Sequence, residues 1–231
     1  MFLRSLYRHL FGWKVISGPF AGLRYVPNSV GSVHFAKLLG TYECELWTHV
    51  EKLISLAPTR IINIGAGEGY YAAGLAWRLP NPRVTAFETE AHGRELIGQI
   101  ATLNAVGARV AIRGACTSSD LATALQGVAH PAIVIDAEGE LLDPANVPAL
   151  TRAVILVEVH DFHAPIGELL LPRFRSTHHV EEVQSRPRTA RDLPSPIRAI
   201  RFTPWSGRAV NVMDEKRPGP MRWFWLEPRS P

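Results

Sequence analysis

Residues 61 to 69 read Ile-Ile-Asn-Ile-Gly-Ala-Gly-Glu-Gly, an apolar strand that runs directly into three glycines separated by single residues. A turn of that kind needs positive φ angles and close backbone approach. Glycine tolerates both, and a helix that follows aims its free N–H groups into the turn. The pattern predicts such a helix over Tyr70 to Leu79. The spacing is G-x-G-x-G, so the dinucleotide form G-x-G-x-x-G is not met. A cofactor loop is the natural reading, and a tight strand-to-helix turn without a ligand is the alternative.

The rest of the chain alternates around this turn. A helix opens at Glu43, with Leu46, Val50, Leu53, Ile54 and Ala57 at helical spacing and Pro58 as its stop. Strand Arg60 to Ile64 precedes the glycines. After helix 70–79 come strand Val84 to Phe87, helix Gly93 to Asn104, strand Arg109 to Arg113, helix 118–126 and strand Ile133 to Asp136. Strand Ala153 to Val159, helix Ile166 to Phe174, strand His178 to Gln184 and an aromatic strand Met221 to Leu226 complete the order. Alternation of this kind builds a parallel sheet covered on both faces. Residues 1–40 are turn-rich and read as a lead-in of short strands or loops, with an amphipathic stretch in Met1 to Trp13 read as a short packing helix in preference to a membrane anchor. Residues 41–231 form the main domain. The Pro- and Arg-rich connection from Ser185 to Pro204 is too long for an ordinary turn, and 185–220 is expected to be a substrate-side loop or lid.

A chain of 231 residues with 46% hydrophobic content suits one α/β domain, and no apolar run approaches the roughly 18 to 20 residues that span a bilayer. Cys44 and Cys116 are far apart and lack a C-x-x-C partner, which fits a reducing, cytoplasmic setting without a structural zinc. The net charge of +4 is uneven: residues 173–231 carry 12 Lys or Arg against 6 Asp or Glu, a local +6. This excess of arginine suits an anionic small molecule, with Arg186, Arg188 and Arg191 as candidates, or else a solvated surface. Nucleic acid is disfavoured, because the basic residues form no compact run or recognition module.

Ligands of open parallel sheets sit outside the carboxyl ends of the strands, and those ends are polar here. Glu88 ends the second strand about 20 residues past the glycines, where an acidic side chain accepts ribose hydroxyls. Glu90 is a second choice. The third strand ends in Gly114-Ala115-Cys116-Thr117, the fourth in Asp136-Ala137-Glu138, and the fifth in Glu158-Val159-His160-Asp161. His163 and the pair His178-His179 have no assignable partner.

With these residues assembled, the chain resembles the FkbM-type branch of class I S-adenosylmethionine-dependent methyltransferases. The likeness rests on Asn63 to Gly69 with Glu88, on Ile135-Asp136-Ala137-Glu138-Gly139-Glu140, and on Val157-Glu158-Val159-His160; it covers about residues 40 to 165. It implies a seven-stranded Rossmann-like sheet, mostly parallel and closed by an antiparallel C-terminal hairpin of the last two strands, and methyl transfer, usually to a hydroxyl oxygen. The acceptor would be a sugar or other polyhydroxylated small molecule. It also implies cofactor contacts from Gly65, Ala66, Gly67, Gly69 and Glu88, with Cys116 and Thr117 near the adenine and Tyr42 and Glu43 covering the cofactor. Asn63 stands where an acidic residue is common. Asp136, Glu138, Glu158 and His160 would gather near the reacting centre. One reading has His160 or a carboxylate take the hydroxyl proton. The other has Asp136, with Asp161 or His160, hold a divalent metal; the first is favoured, since no spacing defines a complete metal shell. A domain that binds the cofactor without catalysis is the alternative function.

Overall fold

The computed structural model describes residues 2–30, 33–137, 139–161, 165–199, 206–217 and 219–229. Its elements are α1 (Phe2–Phe11), α2 (His34–Leu39), α3 (Trp47–Ser55), β1 (Arg60–Ile64), α4 (Tyr70–Arg78), β2 (Arg83–Phe87), α5 (Ala91–Leu103) and β3 (Val110–Arg113). These are followed by α6 (Ser118–Leu125), β4 (Pro131–Ile135), β5 (Val154–Val159), α7 (Ile166–Phe174), β6 (His178–Gln184), α8 (Ser195–Ala199), α9 (Ser206–Met213) and β7 (Arg222–Pro228).

One seven-stranded sheet has the order β3-β2-β1-β4-β5-β7-β6. Strands β1 to β5 are parallel, and β7 runs antiparallel between β5 and β6. The unbroken apolar run of β4, and the apolar runs of β1 and β5 interrupted only by Asn63 and Glu158, follow from helices covering both sheet faces. Ile61, Val84, Val134, Leu156 and Trp225 enter one core layer, while Ile62, Ile133, Ile155 and Phe224 enter the other. Trp223 to Leu226 are all buried because β7 is an interior strand. On the outermost strand β6, Glu181 and Glu182 are exposed, as suits an edge that must not recruit another strand. The expected α/β class and closing antiparallel strand are both observed.

Two regions differ from expectation. The lead-in holds α1 within the stretch expected to be helical and adds α2 where loops or short strands are expected; a single bridge between Lys14 and Arg24 is its extended pairing among the described residues. It is also part of the core, with Tyr7, Val15, Phe20, Leu23, Tyr25 and Leu38 buried. The Tyr7 hydroxyl donates to Lys14 O (2.6 Å) and Leu38 O (2.7 Å), fastening α1 to α2. The connection after Ser185 contains a 3₁₀ turn at Ala190–Asp192, then α8 and α9, and α9 packs on α2 with Met213 fully buried. Short helices of five to eight residues carry too few turns to show a periodicity against a Pro-rich background. Glu43 does not start a regular helix. It has φ 47°, Cys44–Leu46 forms a 3₁₀ turn, and α3 begins at Trp47.

His178 is fully buried, its Nε2 2.9 Å from Ala153 O and its Nδ1 2.8 Å from Thr177 Oγ1. Burial lowers its pKa below the ordinary 6.5. A base whose folded pKa is depressed contributes stability that is present above the unfolded value and is lost as pH falls through the folded one. Thermal stability should therefore decline below about pH 6.5, and His178→Gln should remove part of that acid slope in melts taken across pH 4 to 8. His178→Gln melts with the wild-type acid slope would rule His178 out as its source.

Candidate functional site

A cleft of about 480 Å³ opens at the carboxyl ends of the parallel strands. Each wall is a strand-end segment: Gly65 to Gly67 after β1, Glu88 to Glu90 after β2, Gly114 to Cys116 after β3, Asp136 and Ala137 after β4, His160 after β5. Val30, Lys37 and Tyr42 from the first forty-two residues close one side.

The floor depends on Gly65. It has φ 70°, and a Cβ built on it would lie 2.0 Å from the Asp136 carbonyl oxygen. The bare backbone thus lets β1 and β4 release their chain ends side by side, and Gly65 N and Ala66 N both donate to Phe87 O at 3.0 Å. Gly69, at φ 98°, is the N-cap of α4 and lies behind the lining. Glu88 is 7% exposed and accepts from Gly67 N (2.6 Å) on one oxygen and Glu90 N (2.8 Å) on the other. One backbone donor on each oxygen fixes the carboxylate's direction and leaves acceptor capacity on both.

Glu68, the residue between the second and third glycines, is fully buried and was not singled out from the sequence. It accepts from Lys37 Nζ (2.8 Å), Tyr25 Oη (2.8 Å) and Val30 N (3.3 Å). The glycine loop is thereby tied to the lead-in, and Lys37 is held 4.8 Å from the Tyr42 ring centroid. A charged residue within so tight a loop was the available signal, since a carboxylate there must be buried and needs partners.

At the opposite end, His160 Nε2 lies 3.2 Å from Asp136 Oδ1 and 3.8 Å from Glu158 Oε1. The hydrogen bond to Asp136, then that to Glu158, outweigh burial and push the imidazole up to about 10. His160 is therefore an imidazolium at neutral pH. Burial raises Asp136, but the hydrogen bond and charge of His160 prevail and hold its carboxyl below the usual range.

Behind this pair lies a buried network of charges. Arg217 donates to Glu158 Oε1 (2.5 Å), Glu43 Oε1 (2.9 Å) and Glu215 Oε2 (2.8 Å), with its guanidinium 4.9 Å from the Trp223 ring centroid. Arg188 pairs with Glu45 (2.5 Å) and with Glu215. Burial, then the charge of Glu158, push Glu43 up to about 8 against the pull of Arg217. Tyr71, which lines the cleft, donates its hydroxyl to Glu43.

Of the residues expected from sequence, Tyr42, Gly65, Ala66, Gly67, Glu88, Cys116, Asp136 and His160 line the cleft. Glu43 and Glu158 sit in the layer behind it, and Glu138 and His163 lie outside the described residues. The Thr117 hydroxyl is committed elsewhere: it caps α6, donating to Asp120 Oδ2 (2.5 Å) and accepting from Asp120 N (3.2 Å). The arginines expected to face an anion also need correction. Arg186 pairs with Asp192 (2.6 Å) and Arg188 is neutralised by two glutamates, which leaves Arg191 exposed at the surface.

No protein-family model matches the chain, and no curated protein matches it. Solved structures do. The chain is similar to the O-methyltransferase TomG from Streptomyces achromogenes in complex with SAM, at 17% identity and a TM-score of 0.51, over 87% of this chain and 83% of that one. It is similar also to precorrin-6y C5,15-methyltransferase from Geobacter metallireducens, at 14% identity and a TM-score of 0.51, over 78% of this chain and 87% of that one. The fold is that of the class I methyltransferases. Within this methyltransferase fold the cleft occupies the strand ends at which open α/β sheets bind their ligands. Lys37 and Tyr71 line this cleft, and Glu68 and Arg217 support it from behind; none of the four is among the site residues expected from sequence.

Proposed function

We propose that the chain is an S-adenosylmethionine-dependent methyltransferase of the FkbM-type branch, acting on a hydroxyl of a sugar or other polyhydroxylated small molecule. The observation that carries this reading is the single cleft that runs from an oriented carboxylate, Glu88, across the glycine loop to the Asp136–His160 pair. The cleft suits the cofactor in size and charge. Its acidic lining residues, Glu88, Glu90 and Asp136, exceed its basic ones, Lys37 and His160, and so favour a cationic nucleoside.

Gly65, Ala66 and Gly67 would approach the cofactor through backbone, Glu88 would accept its ribose hydroxyls, and Gly114 to Cys116 would face the adenine. The bound sulfonium supplies an electrophilic methyl group. Asp136 would orient the acceptor hydroxyl by accepting its hydrogen bond, and His160, once it has lost its own proton, would take the hydroxyl proton as general base. Arg217 and Glu215, from the 185–220 segment, reach Glu43 and Glu158 beside the cleft, which supports that segment as the acceptor-side cover. With Arg186 and Arg188 already paired, the acceptor is read as neutral rather than anionic.

Isothermal titration with S-adenosylmethionine and S-adenosylhomocysteine tests the first step. Glu88→Ala should weaken either ligand by about 1.5 to 3 kcal/mol, the range for a hydrogen bond to a charged group. Unchanged affinity would remove Glu88 from the site. Tight binding without turnover on any hydroxylated acceptor would favour the non-catalytic alternative.

One observation favours a metal-assisted variant: ligand atoms of Asp136, Glu158 and His160 all lie within 4.8 Å of one another. Arg217 weighs against it, because its guanidinium already holds Glu158 Oε1, the oxygen that faces His160. Activity that EDTA abolishes and magnesium restores would reverse this ranking.

A further inference from the structure

Residues 1–42 contain five Lys or Arg and no Asp or Glu, whereas residues 43–231 carry 20 against 21. Lys37 is consumed internally by Glu68. Arg8, Lys14 and Arg24 are exposed, and among the described residues none of them meets a carboxylate. This distinguishes them from the basic residues of the C-terminal segment, where Arg186, Arg188, Arg217 and Arg222 are all engaged in ion pairs.

The backbone bridge between Lys14 and Arg24 sets those two side by side, and Arg8 is one turn from the end of α1. Among its described side chains, Tyr7 fixes the helix to the body. Tyr7 is buried, with Phe11 at 5.2 Å and Phe35 at 5.9 Å between ring centroids. Leu10 is left 49% exposed beside Arg8 and His9, and Phe11 and Trp13 are partly exposed at the helix end. An exposed leucine and two partly exposed aromatic residues, at the end of an amphipathic helix and among cations that meet no carboxylate in the described residues, match the chemistry of a bilayer interface. Acyl chains take the apolar side chains, headgroup phosphates take the cations, and tryptophan suits the boundary. A nucleic acid would satisfy the cations but gain nothing from Leu10.

We propose that the α1 end, with Leu10, Phe11, Trp13, Arg8, Lys14 and Arg24, is a docking surface for an anionic lipid membrane. Docking is peripheral and reversible: no helix among the described residues is long and apolar enough to cross a membrane. Attraction to an anionic surface decays within a Debye length and weakens with salt.

The test is co-sedimentation of the full chain with vesicles of phosphatidylcholine and phosphatidylglycerol, against vesicles of phosphatidylcholine alone. The protein should pellet with the mixed vesicles only, and raised salt should release it. Each basic side chain near such a surface contributes about five-fold to partitioning, so Arg8→Gln/Lys14→Gln should weaken binding about thirty-fold. Leu10→Gln should weaken it roughly five-fold by removing a half-exposed apolar side chain from the interface. All three residues are exposed, so melting temperatures should stay unchanged and separate lost docking from lost folding. No partition into anionic vesicles, or partition insensitive to both variants, overturns the proposal. So does binding to a single-stranded oligonucleotide that matches vesicle binding and ignores Leu10→Gln, which would assign the patch to nucleic acid.

Discussion

Gly65→Ala should abolish cofactor binding and lower the melting temperature by about 4 to 20 °C. The methyl group would lie 2.0 Å from the Asp136 carbonyl oxygen and 2.8 Å from its carbon, and both are backbone atoms that no rotamer change can move. The residue would also be held at φ 70°, which costs an L-residue with a Cβ about 1 to 2 kcal/mol. Overpacking adds about 1 to 3 kcal/mol or more. The sum, about 2 to 5 kcal/mol, converts at roughly 2 to 4 °C per kcal/mol for a chain of this length. The displaced segment carries Asp136, so the 3.2 Å contact with His160 would go with it. Gly67→Ala is the control. It shares the strained conformation at φ 54°, but its nearest neighbour is Val30 O at 3.6 Å, so only the smaller conformational cost applies. Differential scanning calorimetry with and without S-adenosylhomocysteine reads both quantities. Equal melting points for the two variants would show that the β1–β4 junction is not the tight point inferred here.

The second large effect concerns His160. Its imidazole is pushed up to about 10, so the base form is scarce at neutral pH. Under the proposed mechanism kcat/KM should rise about tenfold per pH unit until it levels near that value. His160→Asn should abolish the slope and cost about 10² to 10⁴ at the plateau, the usual worth of a positioned acid or base. Asp136→Asn removes the largest influence holding the proton, so the midpoint of the rise should move to lower pH. A flat profile in the wild-type enzyme would discard His160 as the base. Stability carries the opposite sign at this site. A histidine whose folded pKa is raised contributes stability that is fully present below about pH 6.5 and is lost as pH climbs toward 10. His178 and His160 thus act on opposite sides of neutrality.

Sequence reading reached the sheet because its signals are local. β1, α7 and β6 have the bounds that apolar runs and helical spacing predict, and Glu88 is found by counting from the glycines to the next strand end. What it did not reach is set by distant partners. Lys37 and Glu68 are 31 residues apart, and Glu43 and Arg217 are 174 apart. No window along the chain reveals that these charges meet. The C-terminal arginines show the same limit: a local +6 looks like a surface for anions, but Glu43, Glu45, Asp161 and Glu158 arrive from earlier elements and engage Arg188, Arg217 and Arg222. Thr117 shows the converse. Thr117 and Asp120 have the spacing of a capping box, a local signal, and the Thr117 hydroxyl caps α6 outside the cleft lining.

The position of β7 has a consequence for biosynthesis. A nascent chain that has emerged only as far as Gln184 holds β6 without a neighbour, because β6 joins the sheet through β7. Glu43, Glu45 and Glu158 would at that moment lack the guanidinium groups of Arg188 and Arg217. The interior therefore locks only when the final segment threads between β5 and β6. Ribosome-bound intermediates shorter than this should remain protease-sensitive along one whole flank, a hazard that vectorial synthesis imposes on any sheet whose last strand lies inside it.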